Sequence, residues 1–255
     1  MLLAVDIGNT NITLGVFKDD ELAAKWRIAT DPARLTDEYA LMVNQLLPYK
    51  GLSPDEVSAV SICSVVPPLT PTFVELCRTY FQVEPLVVGA GTRTGIRVLY
   101  DNPRDVGADR IVDAVAALKL YGGPAIVVDI GTAMVFDAIS KDGEYLGGAI
   151  APGISIAADA LFHSTSLLRR VDLTRPPDAI GKNTIHAIQS GLVLGSADMI
   201  KGMVGRFDKE LGGGSKVIGT GGLVGLLEAE ANVFDVVNED LTLTGLKLVH
   251  DMNQS

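Results

Sequence analysis

Two aspartates, Asp6 and Asp129, close short apolar runs and open nearly the same phrase, "VDIGNTN" from Val5 and "VDIGTAM" from Val128. Small and polar residues follow, Gly8-Asn9-Thr10 in one case and Gly131-Thr132-Ala133 in the other. A glycine followed by short side chains lets backbone N–H groups approach an anion closely. A carboxylate at a strand end holds a cation, directly or through water. Mg2+ keeps several waters and takes one or two carboxylates together with phosphate oxygens. Two such turns facing each other suit the phosphates of a nucleotide. A third turn, Gly219-Thr220-Gly221-Gly222, lies between a strand-like and a helix-like stretch and suits close approach to a base or ribose. It is neither a P-loop nor a complete dinucleotide fingerprint.

The elements that position these turns are themselves repeated. Aligned without gaps, residues 5–22 and 128–145 share seven of eighteen positions, through to a distal Lys-Asp turn and the Glu after it, so chance likeness is the weaker explanation. Each half opens strand, Asp-Ile-Gly turn, strand, turn, strand. Residues 36–48 then read as an amphipathic helix stopped by proline, with Thr36 or Asp37 as N-cap. Residues 57–68 read as a buried strand, 69–81 as a helix, 85–89 as a strand and 104–122 as a helix. A long, mostly helical stretch, apolar over more than one face, runs from Asn183 to about Leu211. This order predicts an α/β fold of two domains, 1–120 and 121–255, with mixed sheets and an interdomain cleft.

Composition narrows the class. The chain has 255 residues, 47% of them hydrophobic, and a formal net charge of −10. It carries no Lys/Arg cluster of the kind a nucleic-acid binder needs, and no apolar run long enough to span a membrane. With no basic leader at the N-terminus, the expected compartment is cytoplasmic. Cys63 and Cys77 are expected as two buried thiols rather than a disulfide. His163, His186 and His250 show no metal-ligand spacing.

Two Asp-Gly turns and a Gly-Thr-Gly-Gly turn resemble the actin, sugar-kinase and Hsp70 ATPase superfamily, whose domains are duplicated ribonuclease H-like folds. Within it the chain closely resembles the type III pantothenate kinases. The resemblance rests on "DIGNTN" (6–11), "DNPRDVGADRIVDAVAA" (101–117), "DIGTA" (129–133), "GGAIAPGI" (147–154), "IQSGLVLG" (188–195) and "GTGG" (219–222). These motifs span nearly the whole chain in the family's order, and "DNPxxVGADR" is the most specific. One departure is visible: Met134-Val135 stand where the family usually has a pair of threonines.

The resemblance implies ATP-dependent phosphorylation of pantothenate to 4′-phosphopantothenate, the first step toward coenzyme A. It makes Asp109 the acceptor of the hydroxyl proton. Asp105 and Asp113, four residues to either side, are expected on the same helix face and would raise its pKa, while Arg110 and the helix N-terminus would lower it. The sequence leaves that balance open. By the same resemblance Tyr100, Gly107, Ala108, Asp109, Arg110 and Thr184 contact pantothenate, with Arg110 on its carboxylate. Asp6, Ile7, Gly8, Asn9, Thr10, Asn11, Ile12, Thr13, Thr132, Gly219, Thr220, Gly221 and Gly222 line ATP. Asp129 is placed at a monovalent cation, K+ or NH4+, and Asp6 near a divalent cation, Mg2+. A homodimer is implied too, and the wide apolar arc of 183–211 is a second motive for one. A non-catalytic regulator of the same fold, a different small-molecule kinase and a filament or scaffold ATPase are the competing readings. Intact Asp6, Asp109, Asp129 and Thr132 weigh against the first, and chain length and "GADR" against the second.

Overall fold

The computed structural model describes residues 1–254. Its strands are β1 (Leu2–Ile7), β2 (Asn11–Lys18), β3 (Glu21–Ala29), β4 (Ala59–Ser64), β5 (Leu86–Val87), β6 (Arg97–Val98), β7 (Ala125–Ile130), β8 (Ala133–Ile139), β9 (Glu144–Pro152), β10 (Lys216–Thr220) and β11 (Val236–Val237). Its helices are α1 (Thr36–Leu46), α2 (Leu69–Leu76), α3 (Ala108–Tyr121), α4 (Ile154–Ser164), α5 (Thr184–Gln189), α6 (Gly195–Glu210), α7 (Val224–Ala231) and α8 (Leu241–Gln254). A π-helical turn, Ser190–Leu194, joins α5 to α6, so the long helix expected from Asn183 is one rod with a widened turn. Among the described residues, no helix is long and apolar enough to cross a membrane.

The chain forms two compact units, but they do not divide at one point near Leu120. The first holds residues 1–95, 102–116 and the chain from Leu241 on; the second holds 96–101 and 117–240. The C-terminal helix therefore belongs with the N-terminal sheet, against the simple halves the repeat suggested. The reason is local: α8 packs on β1 and β4, Ser61 Oγ donates to Leu246 O at 3.2 Å, and Lys247 Nζ reaches Asp20 in the β2–β3 turn at 2.8 Å.

The first unit has a sheet ordered β3-β2-β1-β4-β5. Its β1 and β4 are buried on both faces, which is why "LLAV" reads as an unbroken apolar run and why Ser61 within "VSIC" is buried with its hydroxyl bonded to Leu246 O. Tyr39, Val43, Leu69, Phe73 and Leu76 from α1 and α2 fill the core against Val5, Ile7, Leu14 and Ile62. Helix α1 is capped by Leu35, whose N–H donates to Glu38 Oε2 at 2.9 Å, not by Thr36 or Asp37.

The second unit has the order β11-β10-β7-β8-β9-β6. Without the added edge strand β6, this is the first unit's order again, with the same parallel and antiparallel pairings. The strand registers refine the ungapped alignment. Ile7 pairs with Ile12 across the first turn but Ile130 with Met134 across its counterpart, so the second turn is one residue shorter. The residue is regained at the distal turn, where Phe17 pairs with Leu22 and Ile139 with Tyr145. Both sheets carry a register shift at the equivalent place, Val16/Phe17 and Ala138/Ile139. A bulge at the same register position in both hairpins supports the duplication.

The apolar residues of α6 turn into their own unit. Ala197, Ile200 and Val204 lie in its core and Met199, Met203 and Phe207 pack against it. A Cβ at Gly191, Gly195, Gly202 or Gly205 would meet nothing within 4 Å, so these glycines serve no close helix approach inside the chain. The apolar arc over α6 is answered within the unit, whereas Ile185 on α5 is 51% exposed.

Candidate active site

In the first unit, β1 ends at Asp6-Ile7 and the chain turns through Gly8-Asn9-Thr10 into β2. The Gly8 N–H donates to Asn11 O at 3.0 Å, closing the turn. Thr30 braces it from outside: its hydroxyl donates to Gly8 O at 2.6 Å and its N–H to Thr10 O at 3.0 Å. Asn9, Thr10 and Asn11 are exposed at the rim, whereas Ile12 is buried in the core and Thr13 lies opposite Asp6 on β2. Residues 6–13 are thus a strand-end turn with its small polar residues outward, and Ile7 and Ile12 serve as its anchors.

The same end of the sheet receives Asp109. Cys63 is the β4 neighbour of Asp6, and its wholly buried thiol is pushed well up by burial and then by the charges of Asp6, Asp109 and Asp113. Three carboxylates therefore converge on one thiol, which stays protonated. Cys77 is also a free buried thiol, pushed up to about 12, chiefly by burial.

Asp109 stands in the first turn of α3, with Ala108 as the helix's first residue. Its Oδ1 accepts the Arg110 N–H at 2.8 Å, so the carboxylate folds back onto the helix N-terminus. A Cβ at Gly107 would fall on that Oδ1. A side chain there would displace the carboxylate from this seat. Burial raises the Asp109 pKa and outweighs the Arg110 N–H and the Arg110 charge, which lower it. The like-charge pressure expected from Asp105 and Asp113 is not the cause. Asp105 is not on the helix: it lies in a separate 3-10 turn, Pro103–Asp105, accepts Asn102 Nδ2 at 2.8 Å and is exposed. Val106 is extended, which breaks the helix expected from Arg104.

The second unit gathers the other candidates. A Cβ at Gly221, whose φ is +90°, would fall on Asp129 Oδ1 and 2.6 Å from Ile130 N. The Gly219–Gly222 turn thus lies directly against the strand-end aspartate. Leu223 N–H donates to Ile130 O at 3.0 Å and holds it there. From the other side Gly153 N–H donates to Thr132 O at 3.2 Å, and a Cβ on Gly153 would fall on that oxygen. Opposite Asp129 on β8 stands Val135, where Asp6 has Thr13; Met134 is wholly buried.

Tyr100 follows β6, whose residues pair with Glu144 and Tyr145 of β9. Thr184 opens α5 behind the N-cap Asn183, whose Oδ1 accepts the His186 N–H at 2.9 Å. Gln189 was not singled out in the sequence. It is nearly buried and donates to Asp172 O and Thr174 Oγ1, both at 2.9 Å, tying the segment after α4 to the helix that carries Thr184. Gly153 and Cys63 were also missed as site neighbours. "APG" looks like any turn, and a cysteine in an apolar strand gives no sign of the carboxylates around it.

A family model for type III pantothenate kinase matches residues 2–206. The type III pantothenate kinase of Roseiflexus sp. (strain RS-1) is 52% identical over 255 residues, covering 100% of both chains. The chain belongs to the type III pantothenate kinase family. A solved structure described as a Baf family transcriptional activator from Campylobacter jejuni superposes with a TM-score of 0.63 at 22% identity, covering 99% of this chain and 98% of that one. The ROK hexokinase of Thermus thermophilus gives 0.55 at 12% identity, covering 100% and 99%. Both share the fold, as expected of a type III pantothenate kinase with two actin-like units.

Proposed function

We propose that the chain transfers the γ-phosphoryl group of ATP to the 4′-hydroxyl of pantothenate, with Asp109 accepting the hydroxyl proton. Family membership over the full length supports the reaction. The observation that carries the role of Asp109 is its geometry: a half-buried carboxylate held on a helix N-terminus by the Arg110 N–H, in space that Gly107 leaves open. Burial raises its pKa and brings it closer to the operating pH, which favours a proton acceptor. Arg110 beside it offers a planar, always charged fork for a substrate carboxylate, with Tyr100, Gly107, Ala108 and Thr184 as the remaining substrate contacts.

The turns at 6–13, Thr132 and 219–222 are proposed to hold ATP through backbone N–H groups and short side chains. Asp6 offers hard oxygen donors beside such a turn, which fits Mg2+; the ion would neutralise phosphate charge. The monovalent cation, K+ or NH4+, is assigned to the Asp129 carboxylate, which lies at its strand end against the bare backbone of Gly221. We place the chain as a homodimer. Exposed large apolar side chains, concentrated in the second unit, support this and include Leu146 and Ile150 of β9 and Ile156 of α4. The reaction assigns the protein to the cytoplasm, where ATP is held.

A coupled ADP-release assay with pantothenate, glycerol, glucose and acetate tests the reading. Turnover on pantothenate alone is expected. Turnover on a sugar or on acetate instead would replace it with another kinase, and no turnover on any would favour a regulator or scaffold. Full activity with excess chelator in sodium-only buffer would remove both cation sites.

A further inference from the structure

The two duplicated bulges differ in the backbone conformation of one residue, the first paired after the shift. In the first unit the bulge leaves Val16 paired with Ala24; in the second it leaves Ala138 paired with Gly147. Ala24 is buried and is not among the residues with positive φ. Gly147 has φ +119°, a conformation that side-chain-bearing residues rarely adopt. The bulge by itself therefore does not demand glycine.

What differs is the neighbour. A Cβ at Gly147 would stand 3.2 Å from both Cδ2 and Cε2 of Tyr100. The chain before Tyr100 is fastened to the same strand: β6 pairs in parallel with Glu144 and Tyr145, and Leu99 N–H donates to Tyr145 O at 2.8 Å. Tyr145 is immobilised in turn, wholly buried, with its hydroxyl donating to Asp137 Oδ1 at 2.7 Å. The Tyr100 ring thus rests on bare backbone at the end of a rigid edge.

We propose that Gly147 is a positioning residue for Tyr100, a shelf whose missing side chain sets the depth of the aromatic wall of the pantothenate site. The inference rests on the reading of Tyr100 as a substrate contact. A methyl group at position 147 forces the ring outward by a few tenths of an ångström or strains the bulge. Either way it changes a contact made equally in ground and transition states. Such a change raises KM and leaves kcat.

The test is steady-state kinetics of Gly147→Ala, Tyr100→Ala, the double variant and Gly143→Ala. Gly143 is a fair control: it lies in the same β8–β9 hairpin at φ +77°, and its Cβ would stand 2.9 Å from Leu118 Cδ2, away from Tyr100. Gly147→Ala is expected to raise KM for pantothenate about tenfold, equivalent to ~1.4 kcal/mol, with kcat and KM for ATP unchanged. It should add nothing in the Tyr100→Ala background. Gly143→Ala should lower Tm without moving KM. If Tyr100→Ala raises KM and Gly147→Ala does not, the shelf is refuted and the Tyr100 reading stands. If Tyr100→Ala leaves KM unchanged, the Tyr100 reading fails and the shelf with it. Should Gly147→Ala not fold, fluorotyrosine-labelled native protein gives the answer by 19F NMR. The Tyr100 ring should flip more slowly than that of Tyr49, which is 84% exposed; equal rates overturn the proposal.

Discussion

A carboxylate can serve as a base only if something keeps it from being wholly satisfied. Asp109 illustrates the balance, since one backbone N–H holds it in place while burial raises its pKa. Ionised Asp109 is then disfavoured in the folded chain relative to the unfolded one. The stability this group contributes is present below the unfolded carboxylate pKa and is lost as pH rises through the higher folded value. Activity follows the opposite sign, because the base must be ionised and turnover falls as pH drops through that value. Asp109→Asn is therefore expected to lower kcat about 10²–10⁴-fold, to abolish the acid limb of the pH profile, and to hold or raise Tm at neutral pH. A large loss of Tm would mean the carboxylate is structural. A second prediction concerns the unequal strand-end aspartates. Asp6 faces Thr13 across the strand pair, whereas Asp129 faces Val135. Val135→Thr supplies a hydroxyl of similar size and is expected to lower the K+ concentration for half-maximal activity. An unchanged K+ titration would separate Asp129 from the monovalent site.

Elements, more than residues, show what the sequence made legible. The Asp-Ile-Gly phrases revealed the duplicated hairpins because turn chemistry and strand alternation are local signals. The same locality limits them. Strand pairing alone shows that the second phosphate-type turn is a residue shorter, a difference that seven matching positions concealed. The helix expected from Arg104 begins only at Ala108: Asp105, Val106 and Gly107 are poor helix formers, and Val106 is extended. The residence of α8 in the first unit depends on contacts with β1 and β4, far away in sequence. Gly245 records that packing. A Cβ there would fall on Val112 O of α3 and 2.6 Å from Val112 Cγ1, so the two helices meet at bare backbone. Gly245→Ala is expected to cost about 1–3 kcal/mol by overpacking, at about 2–4 °C of Tm per kcal/mol. Gly202→Ala in α6, where the added methyl meets nothing within 4 Å, should instead stabilise by about 0.5–1 kcal/mol. Thermal melts of the pair settle this: equal shifts of the same sign would contradict the α3–α8 contact.

At the scale of the whole molecule, charge and apolar surface pull association in opposite directions. Each chain carries a formal net charge of −10, so two copies repel at long range. Local contacts must outweigh that repulsion for the proposed homodimer to form. The apolar surface available for this is unevenly distributed: Leu146 and Ile150 stand on one face of β9, and Leu167 and Ile180 are more than four-fifths exposed on the segment between α4 and α5. A dimer built on such surface tightens when the repulsion is screened, whereas one built on ion pairs loosens. Raising NaCl from about 0.01 M to about 0.1 M shortens the Debye length from about 30 to about 10 Å. Sedimentation equilibrium is therefore expected to show a lower dimer Kd at the higher salt. Ile150→Asp should weaken the dimer at both salts and leave the fold intact, because that side chain is 65% exposed in the single chain. A dimer that loosens with salt, or one indifferent to Ile150→Asp, would move the interface away from β9 and toward charged surface; a fully active monomer would dispense with it.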